Sequence, residues 1–288
     1  MKTILVIGPV TRRAGYGEQA RFALRSLRVH EDRFNILIQD IPWGQSGQVS
    51  EDSEEQRYIR ETIVKTHQHL QQQLPVDITL QVTIPNEFKK LAPVNIGYTA
   101  GIETTRVSPQ WIEKSELMDK IILVSNHSKN VYEKTSYEGT NNNTGEKVII
   151  KTKVPMEVVN YPVRSLEVDD LRLELKHDFN LLTIAQMGPR KNLNNTINWF
   201  LEEFHDDEVG LVVKTNMRNC STADGQYCLE SMKEMTKRFP DRKCSVHLLH
   251  GDLSLEQMNS LYVHPKMKGF VTFTHGEGYG LPIFEAAY

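Results

Sequence analysis

The chain has 288 residues, with 34 Lys and Arg against 37 Asp and Glu, for a formal net charge of −3. Hydrophobic residues make up 39% and charged residues 25%, a globular balance that excludes disordered and fibrous classes. No basic excess supports nucleic acid as the main partner, and no apolar run approaches the roughly 18 residues of a membrane span, so a cytoplasmic location is expected.

At about 150 residues per domain, the length suggests two domains. Short β-branched runs alternate with longer amphipathic stretches, which is the α/β pattern. Residues 2–7 read as a strand and 17–29 as a helix, with Ala20, Ala23, Leu24 and Leu27 on one face. A strand over 34–39 ends at Asp40, before a Pro/Gly/Ser loop. Ile59, Ile63, Thr66 and Leu70 give a helix over 54–74, and 76–82, 94–98 and 120–124 read as strands. A short helix over 128–135 is capped from the Ser125/Asn126 region. A hairpin excursion follows, with a turn at 139–145 and a strand-like flank at 147–153. Residues 167–174 read as a polar, aperiodic, solvated run, and the domain boundary is placed at Pro162, giving units 1–162 and 163–288.

The strand–helix series then restarts. Strands are predicted at 181–185, 209–215, 245–250 and 270–274, and helices at 193–204, 226–239 and 255–262. Strand–loop–helix repeats imply two Rossmann-like domains with parallel strands and right-handed crossovers. A last helix opens near Leu281 and the sequence stops at Tyr288. The second domain is therefore expected to be incomplete, with weak or no turnover and an apolar sheet edge that favours self-association.

Cys220, Cys228 and Cys244 are odd in number and lack C-x-x-C spacing, so no disulfide or zinc framework is expected. His67 and His69 fall on different faces of their helix, and His247 and His250 are assigned to packing or loop contacts. The chemistry concentrates elsewhere. The segment His275-Gly276-Glu277-Gly278-Tyr279-Gly280-Leu281-Pro282 runs from a strand into a helix, with Glu285 eight positions after Glu277. Gly278 and Gly280 let the backbone approach a ligand, and the amides of the first helical turn suit an anion. Glu277 and Glu285 can accept hydrogen bonds from sugar hydroxyls. Arg190-Lys191 lies in the loop after the first strand of the second unit, at the usual ligand edge of a parallel sheet, and its two cations suit a diphosphate.

Gly15-Tyr16-Gly17-x-x-Ala20, with Asp40 in the ribose position, also fits a dinucleotide fingerprint, although residues 9–14 separate it from the preceding strand. A nicotinamide-dependent oxidoreductase stays open on that ground, as does a non-catalytic nucleotide-sugar-binding protein.

The segment from Glu277 to Glu285 resembles the E-x7-E motif of retaining nucleotide-sugar glycosyltransferases of the GT-B fold, group 1 (family four). Gly15-Tyr16-Gly17 resembles the N-terminal glycine loop of that family. Gly101-Ile102-Glu103, with Arg106, Pro109 and Trp111, is similar to an acceptor-side segment, and Gly188-Pro189-Arg190-Lys191-Asn192 to the donor-phosphate motif. The resemblance implies a donor nucleotide sugar on the second domain, with Glu285 at its ribose, Glu277 at the transferred sugar and Lys191 at the diphosphate. It places the amides of Gly278, Tyr279, Gly280 and Leu281 near sugar and phosphates. Gly15 and Gly17 shape the donor side of the first domain, and Tyr16 and Glu103 face an acceptor: a glycan, lipid-linked sugar, protein or small molecule. It implies retention of configuration and no cofactor. No D-x-D follows a strand, which fits metal independence. Many members carry an arginine about five residues before the lysine, where this chain has Gln186.

Overall fold

The computed structural model describes residues 1–140, 144–163 and 167–288. The centre of the turn expected at 139–145 lies outside the described residues. The chain divides into two compact units, Met1–Pro162 and Val163–Tyr288. No helix among the described residues is long and apolar enough to cross a membrane.

The first unit is built on strands β1 (Lys2–Gly8), β2 (Phe34–Asp40), β3 (Ile78–Val82), β4 (Val94–Thr99), β5 (Lys120–Leu123) and β8 (Met156–Val158). They form one parallel sheet in the order β2-β1-β3-β4-β5-β8. Helices α1 (Gly15–Arg28), α2 (Glu54–Gln71), α3 (Pro109–Ser115) and α4 (Asn126–Lys134) connect them, and β6 (Tyr137–Thr140) with β7 (Lys147–Ile150) makes a separate antiparallel hairpin. The sequence reading omits α3 and β8. Helix α3 starts at Pro109 behind Ser108, and β8 has only three residues, too few to show a period.

Helix α1 begins two residues before its predicted start, and the cause is packing. A Cβ on Gly17 would lie 2.0 Å from the Arg12 carbonyl oxygen, so the loop of residues 9–14 folds directly onto the first helical turn. Only glycine leaves that space.

The second unit has β9 (Phe179–Ile184), β10 (Val209–Lys214), β11 (Ser245–Leu249) and β12 (Met267–Phe270) in the parallel order β11-β10-β9-β12, with α5 (Leu193–Glu203), α6 (Thr222–Thr236), α7 (Leu255–Tyr262) and α8 (Leu281–Ala287). Alternation along β10 sends Leu211 and Val213 to one face, against Ile197, Phe200 and Leu201 of α5 and Cys228 and Met232 of α6. Val212 faces the other way, with Leu182 and Leu261. Both faces are covered, as a parallel sheet requires.

Three expectations change here. Residues 171–175 are not a solvated run: Leu171, Leu173 and Leu175 alternate inward and pack on the Leu182–Val212–Leu261 face. Helix α6 starts at Thr222 rather than 226, because the Ser221 hydroxyl caps it by accepting from the Asp224 amide. Strand β12 ends at Phe270, just where the strand predicted over 270–274 begins. Beyond it, the Val271 amide still reaches the Leu182 carbonyl, and the chain then turns to the loop after β9.

Candidate functional site

In the second unit the strand order reverses between β9 and β12, so the loops leaving those two strands flank the crevice where open parallel sheets bind ligands. Each loop carries one half of the predicted motif pair. Pro189–Lys191 is a single 3-10 turn, closed by Asn192 in the left-handed region at φ 52°. Asn tolerates that conformation better than other residues with a Cβ. Its side chain ties the two loops, donating from Nδ2 to the Phe273 carbonyl at 2.9 Å. The Arg190 carbonyl accepts from the His275 amide at 2.9 Å and from the Thr274 hydroxyl at 3.1 Å. Arg190 Nη1 returns a bond to the Gly276 carbonyl at 2.8 Å. These bonds replace the sheet ladder beyond Phe270, and they hold residues 273–277 in place.

The loops bring three of the predicted residues together. Lys191 Nζ donates to Glu277 Oε1, and Arg190 Nη1 lies 3.8 Å from Glu277 Oε2. The Lys191 and Glu277 side chains are only 19% and 23% exposed, so their attraction is screened less than that of a surface pair. Glu277 packs beside Gly280, whose φ of 80° and ψ of 45° turn the chain into α8. A side chain there would be strained, which explains the glycine. The Gly280 carbonyl accepts from the amides of Ile283 and Phe284, and Pro282 sits in the first turn of the helix. Leu281 opens α8, and the ring of Tyr279 meets Phe284 edge-on at 5.3 Å. Glu285 accepts a hydrogen bond from the Tyr262 hydroxyl at 2.9 Å. Gln186 donates to the Met217 carbonyl at 2.8 Å and thus holds the neighbouring loop.

That neighbouring loop has an anchor the sequence reading missed. Asp224 accepts from the amides of Met217 at 2.9 Å, Arg218 at 2.8 Å and Asn219 at 3.4 Å, and it contacts His250 Nε2 at 3.0 Å. Burial pushes its carboxyl up, but the His250 and backbone hydrogen bonds outweigh burial and hold it below the usual range. Cys228 lies close enough that Asp224, Cys228 and His250 resemble a metal ligand set. Four N–H contacts already occupy the carboxylate, and burial pushes the Cys228 thiol up, away from the ligating thiolate. Loop anchoring is the chemistry this trio supports. The only sequence signal for it was the Ser221-x-x-Asp224 cap.

In the first unit, the Tyr16 hydroxyl lies 2.8 Å from Thr99 Oγ1, and its ring packs on Trp43 with centroids 4.4 Å apart. Burial pushes the Tyr16 phenol up to about 12, and the charges of Glu103 and Glu87 add to the shift, so Glu103 lies within electrostatic reach. Trp43 was not among the predicted residues. Gly15 has open space around its Cα, whereas Gly17 is filled by the Arg12 carbonyl. Asp40 is engaged as well, accepting from the Thr11 amide at 3.1 Å and the Thr11 hydroxyl at 2.7 Å. Two positions of the dinucleotide fingerprint thus serve the loop of residues 9–14.

No family model matches the chain, and no curated protein matches it in sequence. Solved structures do match. The chain is similar to an E. coli trehalose-6-phosphate protein bound with UDP-2-fluoro glucose, at TM-score 0.55 and 11% identity, over 99% of this chain and 82% of that one. The same fold is shared by the apo structure of OtsA, at TM-score 0.57 and 10% identity over 99% and 82% of the two chains. It is shared too by the lipopolysaccharide outer core galactosyltransferase WaaB, at 0.54 and 11% over 99% and 78%. The fold is GT-B. At such identities the likeness extends to the fold alone.

Proposed function

We propose that this chain is a glycosyltransferase that moves a sugar from a nucleoside diphosphate sugar to an acceptor, with retention of configuration and without a metal ion. The observation that carries the proposal is the meeting of Lys191 and Arg190 with Glu277, in the two loops that flank the switch point of the second unit. Cations and a carboxylate at one crevice match a ligand with both anionic and hydroxyl groups.

In this mechanism the diphosphate takes the Lys191 ammonium and the amides of Gly278–Gly280. The Glu285 carboxylate accepts the ribose hydroxyls, and Glu277 faces the transferred sugar. As the bond from the anomeric carbon to the phosphate oxygen breaks, positive charge grows on the sugar ring and negative charge on the leaving oxygen. Lys191 acts where that negative charge develops, which lowers the barrier rather than merely tightening ground-state binding. Arg190 adds a second positive charge 3.8 Å from Glu277, while its guanidinium also steadies the loop through Gly276. Two cations supply the charge that a divalent ion would otherwise supply, so chelation is expected to leave transfer unchanged. The acceptor hydroxyl attacks from the face the diphosphate leaves, and its proton passes to the departing phosphate oxygen. Front-face attack, without a covalent intermediate on Glu277, is the route proposed by resemblance to the retaining family. Tyr16 and Glu103 of the first unit are proposed to meet the acceptor.

A thermal-shift screen over UDP-, GDP- and ADP-sugars tests this. A ligand at 100 times its Kd stabilises by about 2.7 kcal/mol. Stabilisation by one of these sugars is the expected result, and any transfer to an acceptor should keep the anomeric configuration. Stabilisation by NAD alone would overturn the proposal, and transfer with inverted configuration would overturn its retaining mechanism.

A further inference from the structure

Helix α8 carries Glu285 but contributes no buried residue of its own, so its position depends on ties to neighbouring elements. One tie is unusual in reaching the glutamate itself. The Tyr262 hydroxyl donates to Glu285 Oε2 at 2.9 Å. Tyr262 is the last residue of α7, a helix fixed at its other end by a reciprocal capping box between Ser254 and Gln257. Its ring packs against the buried cluster of Leu182, Val212 and Leu261. The phenol thus has an apolar body seated in the core and a polar tip at the site, with only two side-chain torsions to restrain.

We propose that Tyr262 is a positioning residue: its hydroxyl fixes the rotamer of the Glu285 carboxylate and thereby sets affinity for the donor ribose. The inference rests on the donor-site reading given above. Three features favour this role over simple packing. The direction of the bond is fixed, because burial and the Glu285 charge push the phenol far above its ordinary range, leaving the hydroxyl a donor and the carboxylate its acceptor. The hydroxyl is not needed to fill the core, since a phenylalanine ring would cover the same cluster. And a glutamate on a seven-residue helix has three side-chain torsions to lose on binding a diol. Holding the carboxylate beforehand removes part of that cost, the usual route by which preorganisation raises affinity.

The test is a double-mutant cycle on the full chain with Tyr262→Phe, Glu285→Gln and both together. UDP, ADP and GDP are titrated calorimetrically as probes, and donor KM and kcat are measured alongside. Tyr262→Phe is expected to weaken nucleoside diphosphate binding and raise donor KM by about three- to tenfold, with kcat moving less. Glu285→Gln is expected to weaken binding at least as much, and the double variant no more than Glu285→Gln alone, because Tyr262 acts only through the carboxylate. Multiplying effects in the double variant, or unchanged binding in Tyr262→Phe while Glu285→Gln weakens it, would overturn the role of Tyr262 and leave the donor site standing. If Glu285→Gln itself changes nothing, the ribose assignment fails and Tyr262 fails with it. Circular dichroism and the melting temperature of each variant separate loss of folding from loss of affinity.

Discussion

Replacing Glu277 with Gln should strengthen nucleoside diphosphate binding while weakening transfer. Glu277 now faces Lys191 Nζ and lies 3.8 Å from Arg190 Nη1, so a diphosphate must compete with a carboxylate for the same cations. Two unit charges about 4 Å apart attract by about 4 kcal/mol at an effective dielectric near 20. Hydration and salt return most of that, and exposed pairs contribute about 0.2–1 kcal/mol in measured cycles. Side chains only 19% and 23% exposed place this pair at the upper end, so the competition is worth about 1 kcal/mol, or about fivefold in Kd. Gln keeps the shape and removes the charge. Titration of UDP, ADP and GDP into both proteins should therefore show tighter binding to Glu277→Gln, with a gain that shrinks as salt rises. Transfer should fall by about 10², because the neutral amide no longer opposes the positive charge on the sugar. Equal or weaker binding by Glu277→Gln at low salt would refute the idea that the carboxylate competes with the diphosphate for Lys191.

Other expectations concern the scaffold. Gly17→Ala places a Cβ 2.0 Å from the Arg12 carbonyl oxygen. The loop must move, and denaturant unfolding should show a loss of about 2–3 kcal/mol, whereas Gly15→Ala, which meets open space, should cost far less. Burial, with the nearby His177 and Lys176 charges, lowers the pKa of His247 below 6.5. The unfolded chain then binds that proton more readily, so this contribution to stability is intact above pH 6.5 and declines as pH falls toward the folded-state value. His247→Phe should flatten the fall in stability between about pH 7 and about pH 5, and an unchanged slope would rule this residue out.

Much of the fold was legible because local signals agreed with the tertiary solution. The β-branched runs that became β1, β2, β9 and β10 are buried on both faces, and such runs have few other uses in a polar chain. The Lys191 and Glu277 loops could be located because glycine, proline and charge cluster where strands end. What escaped was set by contacts distant in sequence. Strand β12 ends early because Asn192, Arg190 and Thr274 bind the following backbone, 81 to 86 residues apart, which no local pattern records. Leu171, Leu173 and Leu175 showed a period of two inside an acidic run, and the charges hid it. Tyr262 carries no motif and matters through Glu285, while Asp224 shows in the sequence only as a cap position and not as the group that gathers Met217, Arg218, Asn219 and His250.

Lys191 is proposed to act on the leaving diphosphate, and steady-state transfer by Lys191→Ala with the donor found in the screen measures that role. A fall in kcat of about 10²–10³, with a smaller change in donor KM, is the predicted result. Unchanged kcat, or a loss confined to KM, would contradict it.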